Sequence, residues 1–267
     1  MTTANSQNHI VFGAKGSQLK TATSWLLFDR FAHEKIWEVE SANQYRFSQL
    51  LAANASPRKT TRVEMPSADA LRADPAAARD VYAPVLESLE TGSNLVDLGA
   101  TYERLFFEAA DAFDHPAICD NGKNLHFVLS ALAHERLSHD YCSKLLKQVR
   151  VMYPAAGLTA VVWETASEGG RVTDADKAAF SLADTLVIAP PCISKAAPAV
   201  YFSGVVSPSQ ILADQVNLDG VVEVLSRTSG KSVSKMVARA ELALLTKWIA
   251  GVVQQFDEAF GDVKAAA

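Results

Sequence analysis

At 267 residues, 49% of them apolar and 21% charged, the chain has the composition of a packed globular protein and the length to bury its own core without staples. Its formal charge of −5 excludes nucleic-acid binding through a basic global field and leaves only a local patch open for direct contact. The cysteines Cys119, Cys142 and Cys192 form no CxxC and no close pairing with histidine, which argues against a disulfide framework or a zinc module and fits a cytoplasmic setting.

The first nine residues carry no basic leader, and the longest apolar stretches are too short or too interrupted to span a membrane. An apolar run at residues 9–13, then a loop, then Ala22, Leu26, Leu27 and Phe31 at helical spacing, read as strand, loop and helix. Residues 35–40 form a second strand, 45–53 a short helix ending near Pro57, and 60–65 a third strand. The alanine-rich stretch 68–89 reads as helix that Pro75 and Pro84 break or restart. A short buried strand at 95–98 ends at Asp97 and Gly99, and a helix follows over 102–113. Three more apolar strands, 125–132, 158–163 and 185–189, are separated by helices around 141–151 and 175–183.

Ser232 or Ser234 caps a final helix, about 232–260, whose core face is expected to carry Val237, Ala240, Leu244, Trp248, Val252 and Phe256. Unbroken apolar strands alternating with helices predict an α/β fold: a doubly wound, mainly parallel sheet with helices on both faces, in a single domain spanning 1–267. Ligands of such sheets sit beyond the carboxyl ends of the strands.

The loop after the first strand, Gly13-Ala14-Lys15-Gly16-Ser17-Gln18-Leu19-Lys20-Thr21, lies where a phosphate-binding loop would lie. Such a loop needs a lysine and a hydroxyl at the helix start, because backbone N–H groups, the ammonium and a hydroxyl-bound Mg²⁺ together neutralise polyphosphate. Lys20 and Thr21 supply that pair. A strand-to-helix turn with exposed lysines is the plainer account of the same residues, and Asp97 could simply cap the helix after it.

In these positions the chain resembles the ParA/MinD-type ATPases, whose deviant Walker A motif reads K-G-G-x-G-K-[ST]. Lys15 matches the signature lysine, Gly16 the first glycine, and Lys20 and Thr21 the final pair, while Ser17 and Leu19 replace the other two glycines. Glu38-Val39-Glu40 stands where the family has D-x-D, Asn43 matches the asparagine of the plasmid-partition and conjugal-transfer branch, and Leu95 to Gly99 resembles a Walker B strand. Where the family sets an asparagine against adenine, this chain has Trp163-Glu164.

The resemblance implies a P-loop NTPase-like positioning, partition or conjugal-transfer factor with ATP and Mg²⁺ as cofactors, though its altered loop implies weak or absent hydrolysis. It implies a homodimer that works with a protein partner of a partition or transfer system. Lys15 would reach across the dimer and Glu40 would orient water. Gly16, Lys20, Thr21 and Asn43 would hold nucleotide, and Thr21, Glu38 and Asp97 would serve the metal.

The alternative is a dinucleotide-binding oxidoreductase, since Gly13 to Gly16 with Glu40 loosely fits a Rossmann fingerprint. Other motifs fail on spacing. Gly230-Lys231-Ser232 lacks the earlier Walker glycine and reads as a helix N-terminus. His134-Glu135 and His139 are one residue too far apart for a zinc helix, and Tyr141 and Lys144 one too close for a dehydrogenase dyad.

Overall fold

The computed structural model describes residues 7–13, 19–31, 33–41, 46–54, 60–74, 76–100, 102–133, 136–165, 170–189, 200 and 203–260. Seven strands form one sheet: β1 (Asn8–Phe12), β2 (Lys35–Glu40), β3 (Thr61–Glu64), β4 (Asn94–Leu98), β5 (Leu125–Leu132), β6 (Gly157–Trp163) and β7 (Asp184–Ile188). Every neighbouring pair is parallel, and the order is β3-β2-β4-β1-β5-β6-β7.

Helices α1 (Lys20–Arg30) and α2 (Arg46–Ala53) cover one face as the chain steps outward from β1 to β3. On the return, α3 (Ala68–Ala73), α4 (Ala77–Glu90), α5 (Glu103–Ala112), α6 (His115–Ile118), α7 (Arg136–Met152) and α8 (Asp174–Ala179) lie on the side of the other face. Opposite directions of travel must use opposite faces if each crossover is right-handed. The last helices, α9 (Pro208–Leu212), α10 (Leu218–Ser229) and α11 (Lys235–Phe260), come back to the α1 face.

The pleat divides the core accordingly. Val11, Ile36, Leu95, Val128 and Val161 pack toward α1 and α11, whereas Ile10, Phe12, Trp37, Val39, Val96 and Phe127 pack toward α4, α5 and α7. Burial on both faces is why these strands read as unbroken apolar runs rather than as alternating ones.

Three local expectations are corrected. Helix α4 runs straight through Pro84, which sits on the exposed side, where the carbonyl left without its amide partner at Asp80 can be hydrated. In α11 the buried stripe is Ala238, Leu245, Ile249, Val252, Val253 and Phe256, while Val237 and Leu244 are 47% and 43% exposed. Gly230 does not begin a helix: with φ +67° it closes α10, and Ser234 Oγ accepts the Val237 amide at 3.3 Å to start α11. Among the described residues no helix is long and apolar enough to cross a membrane.

The amino ends of the central strands carry a buried histidine cluster. His9 and His126 stand in register on β1 and β5, and His9 Nδ1 lies 2.9 Å from His33 Nε2. Phe31 and Phe260 cover the rings, with centroids 4.5 Å from His9 and 4.7 Å from His126, respectively. Gly157 stands beside His126 in register because a Cβ there would come within 2.8 Å of the imidazole. His139, the residue of the rejected zinc motif, is buried, and it ties α7 to α8 by facing Asp176 at 3.1 Å and the Leu132 carbonyl at 3.1 Å.

Candidate functional site

At the opposite, carboxyl end of the sheet, β4 is flanked by β1 and β2, and the chain leaves β4 for one face but leaves β1 and β2 for the other. That divergence opens a cleft, the position where doubly wound sheets bind ligands. Its volume is about 250 Å³, and Lys20, Thr21, Glu38, Glu40, Arg46 and Asp97 line it. The register explains the convergence. Glu38 pairs with Asp97, and the period of two puts Glu38, Glu40 and Asp97 on the α1 side of the sheet.

Lys20, the first residue of α1, is only 6% exposed. Burial lowers the proton affinity of its amine below the usual lysine value, against the opposing pull of Asp97, Glu103 and Glu40, and Arg46 lowers it further. The Asp97 carboxyl is pushed up to about 7, first by burial and then by Glu38, against the pull of Lys20 and the Ser24 hydroxyl. Burial, with Glu38 beside it, thus holds the Asp97 proton on against Lys20.

Glu40 accepts the Ser41 amide at 2.9 Å and lies against Gly99, where a Cβ would come within 2.7 Å of its carboxyl carbon. Glu38 is engaged differently from the expected metal ligand. Its oxygens accept the Phe47 amide at 2.6 Å and the Ser48 amide at 2.9 Å, and the Ser48 hydroxyl donates to it as well. A carboxylate there satisfies orphan amides in the first turn of α2 and complements the helix dipole.

Four of the expected residues, Lys20, Thr21, Glu40 and Asp97, therefore line one cleft, with Glu38 in its wall as the cap of α2. Lys15, Gly16 and Asn43 lie outside the described residues. Arg46 and Glu103 were not anticipated. Glu103 opens α5, is fully buried, accepts the hydroxyl of Tyr141 (the tyrosine of the rejected dehydrogenase motif) at 3.0 Å, and acts on Lys20 through its charge.

Leu19 precedes α1 in the left-handed conformation, with φ 53° and ψ 27°. A residue without Cβ would hold that backbone without strain. Leu19→Gly is expected to melt above Leu19→Val, although it buries less, because any Cβ costs about 1–2 kcal/mol in this region and β-branching stiffens the side chain further. Equal melting temperatures, or the reverse order, would show that the conformation carries no strain.

No protein-family model matches the chain, and no curated protein matches it. One solved structure with a similar chain path is a nucleotide-binding protein from Archaeoglobus fulgidus in complex with ADP, with Co. It is 13% identical, with a TM-score of 0.44, over 74% of this chain and 86% of that one. At that distance the similarity assigns no ligand to this chain.

Among the described residues, no group of three or more His, Cys, Asp or Glu side chains is arranged to hold a metal ion unaided. A cation at Asp97 would need further oxygens from Thr21, water or a phosphate, which is the usual manner of Mg²⁺.

Proposed function

We propose that the strand-end cleft binds the phosphates of a nucleotide with Mg²⁺, and that the chain is a ParA/MinD-like ATP-binding factor with a degenerate loop. The observation that carries this reading is the convergence of Lys20, Thr21, Glu40 and Asp97, from three separate segments, at the point where the crossovers diverge. Lys20 would neutralise phosphate, and Thr21 with Asp97 would hold the cation. The elevated Asp97 carboxyl is consistent with the reading, because a divalent ion would offset the burial and the Glu38 charge that hold its proton on.

The metal, when bound, supplies charge neutralisation at the phosphate oxygens. Glu40 would orient water at the cleft wall, but its attachment to Ser41 and the lack of a family glycine at Leu19 favour binding over rapid turnover. The same reading proposes a cytoplasmic homodimer that serves a positioning, partition or transfer system through protein partners.

Calorimetry with Mg·ATP, and with NADH as the competing ligand, tests it on the wild type and on Lys20→Ala. Binding of Mg·ATP weakened at least about tenfold by the substitution, with melting used to verify folding, is the expected result, since a charge-assisted contact of this kind is worth about 1.5–3 kcal/mol. No heat with Mg·ATP, or equal affinity in the variant, removes the reading. Preference for NADH would favour the dinucleotide alternative.

A further inference from the structure

Two spaces open from the start of α1, and they differ in size and lining. The acid-lined cleft of about 250 Å³ falls below the roughly 300–1,000 Å³ typical of organic-ligand pockets, so it suits phosphate and a cation rather than a whole nucleotide. The second space, of about 790 Å³, shares Lys20, Thr21 and Arg46 with the first and extends between α2 and α10. Its wall is apolar at Leu50, Val205 and Val224. Arg46 and Arg227 stand among these residues from two different helices.

Among the described residues, the side chains at the end of β6 are engaged by the chain itself. Trp163 is buried and donates its indole N–H to Thr23 Oγ1 at 3.2 Å. Glu164 accepts the Val172 amide at 2.9 Å and pairs with Arg171 at 2.5 Å.

We infer that the nucleoside part of a nucleotide held at Lys20 and Thr21 enters the space between α2 and α10, with its ring against Leu50 and Val224 and within reach of the Arg46 and Arg227 guanidiniums. This rests on the phosphate reading above and adds where the base goes. An aromatic base suits the lining on both counts: it gains from leaving water beside aliphatic side chains, and its π-face attracts a guanidinium. Gln49 and Glu223, on the same wall, can hydrogen-bond to base edges and would set the preference among bases.

The test uses the full chain, Mg²⁺ and two probes, a fluorescent mant-ADP and inorganic tripolyphosphate. Ala53→Trp, at an exposed position lining the space, is expected to weaken mant-ADP at least tenfold while tripolyphosphate affinity stays within twofold. Arg227→Ala, also exposed, is expected to weaken mant-ADP alone by a smaller factor. Photolabelling with 8-azido-ATP is expected to mark peptides covering 46–54 or 218–229. Label at 157–174, or mant-ADP binding unchanged in both variants, overturns the base site while leaving the phosphate site intact. Failure of the wild type to bind either probe removes the phosphate site, and the base site with it.

Discussion

Asp97→Asn raises the melting temperature at pH 8. The carboxyl is buried and titrates near 7 in the folded chain, whereas in the unfolded chain it titrates near its ordinary value of 3.8. Between those values the folded state binds more protons than the unfolded one, so stability falls as pH rises through that window and stays at its lower level above it. A shift of about three units at about 1.4 kcal/mol per unit sets an upper limit near 4 kcal/mol, and asparagine, which resembles the protonated acid, should recover about 2–4 kcal/mol. For a chain of this size that corresponds to roughly 5–10 °C. Thermal melts of both proteins from pH 4 to pH 8 check it: the curves should meet at pH 4 and diverge upward. A variant that melts at or below the wild type at pH 8 would mean that the acid is compensated in the folded state. On the function proposed above, the same substitution should abolish any Mg²⁺ dependence of nucleotide binding, which would set stability against function at this one residue.

The histidine cluster gives the opposite pH dependence. Burial lowers His126 from 6.5 to about 4, against a small opposing pull from Asp184, and burial lowers His9 as well, with His33 and His126 adding to the effect. These rings are neutral when folded, so their contribution is complete above the unfolded value of 6.5 and is lost as pH falls toward the folded value. His126 alone should cost about 2 kcal/mol by pH 5 and about 3 kcal/mol by pH 4.

Gln7 and Thr159 contact His126 at 3.1 and 2.8 Å, and both are uncharged, so neither can absorb the new positive charge. In the wild type the Asp97 slope partly hides this loss, and Asp97→Asn is therefore the background in which to see it. There, His126→Gln is expected to melt lower than its parent at pH 7, by about 1 kcal/mol for the imperfect fit, and to equal or exceed it at pH 5. Parallel pH profiles would show that His126 is protonated without penalty.

What the sequence made legible, and what it did not, divides along the range of the interactions. Strands such as 125–132 announce themselves because a sheet buried on both faces needs continuous apolar side chains, and that is a local property. Lys20 and Thr21 could be proposed from the lysine–hydroxyl pair after the first strand, and Glu40 and Asp97 from the resemblance, and all four line the cleft at the strand ends, where such sheets bind ligands. The work of Glu38 could not be read, since its partners are amides of Phe47 and Ser48, which any residue supplies.

The stripe of α11 was misplaced because Val237 and Leu244 are as apolar as Ala238 and Leu245, and only the packing of α9 and α10 selects between them. Arg46 and Arg227 lie on separate helices with no shared motif. His9 and His126 become neighbours only once β1 and β5 pair, more than a hundred positions apart.

That last separation reaches into how the molecule is made. β1 sits at the middle of the sheet, yet the strands it pairs with, β4 and β5, come after β2 and β3 in the chain. During synthesis the earliest strand must wait through three crossovers before its hydrogen bonds can close, and β2 likewise lacks its inner neighbour until β4 emerges. Long-range parallel pairing of this kind is slow and leaves apolar edges open. Ribosome-bound fragments that end before residue 94 should thus resist compaction and recruit chaperones, and protection should set in cooperatively once β4 and β5 have both left the exit tunnel.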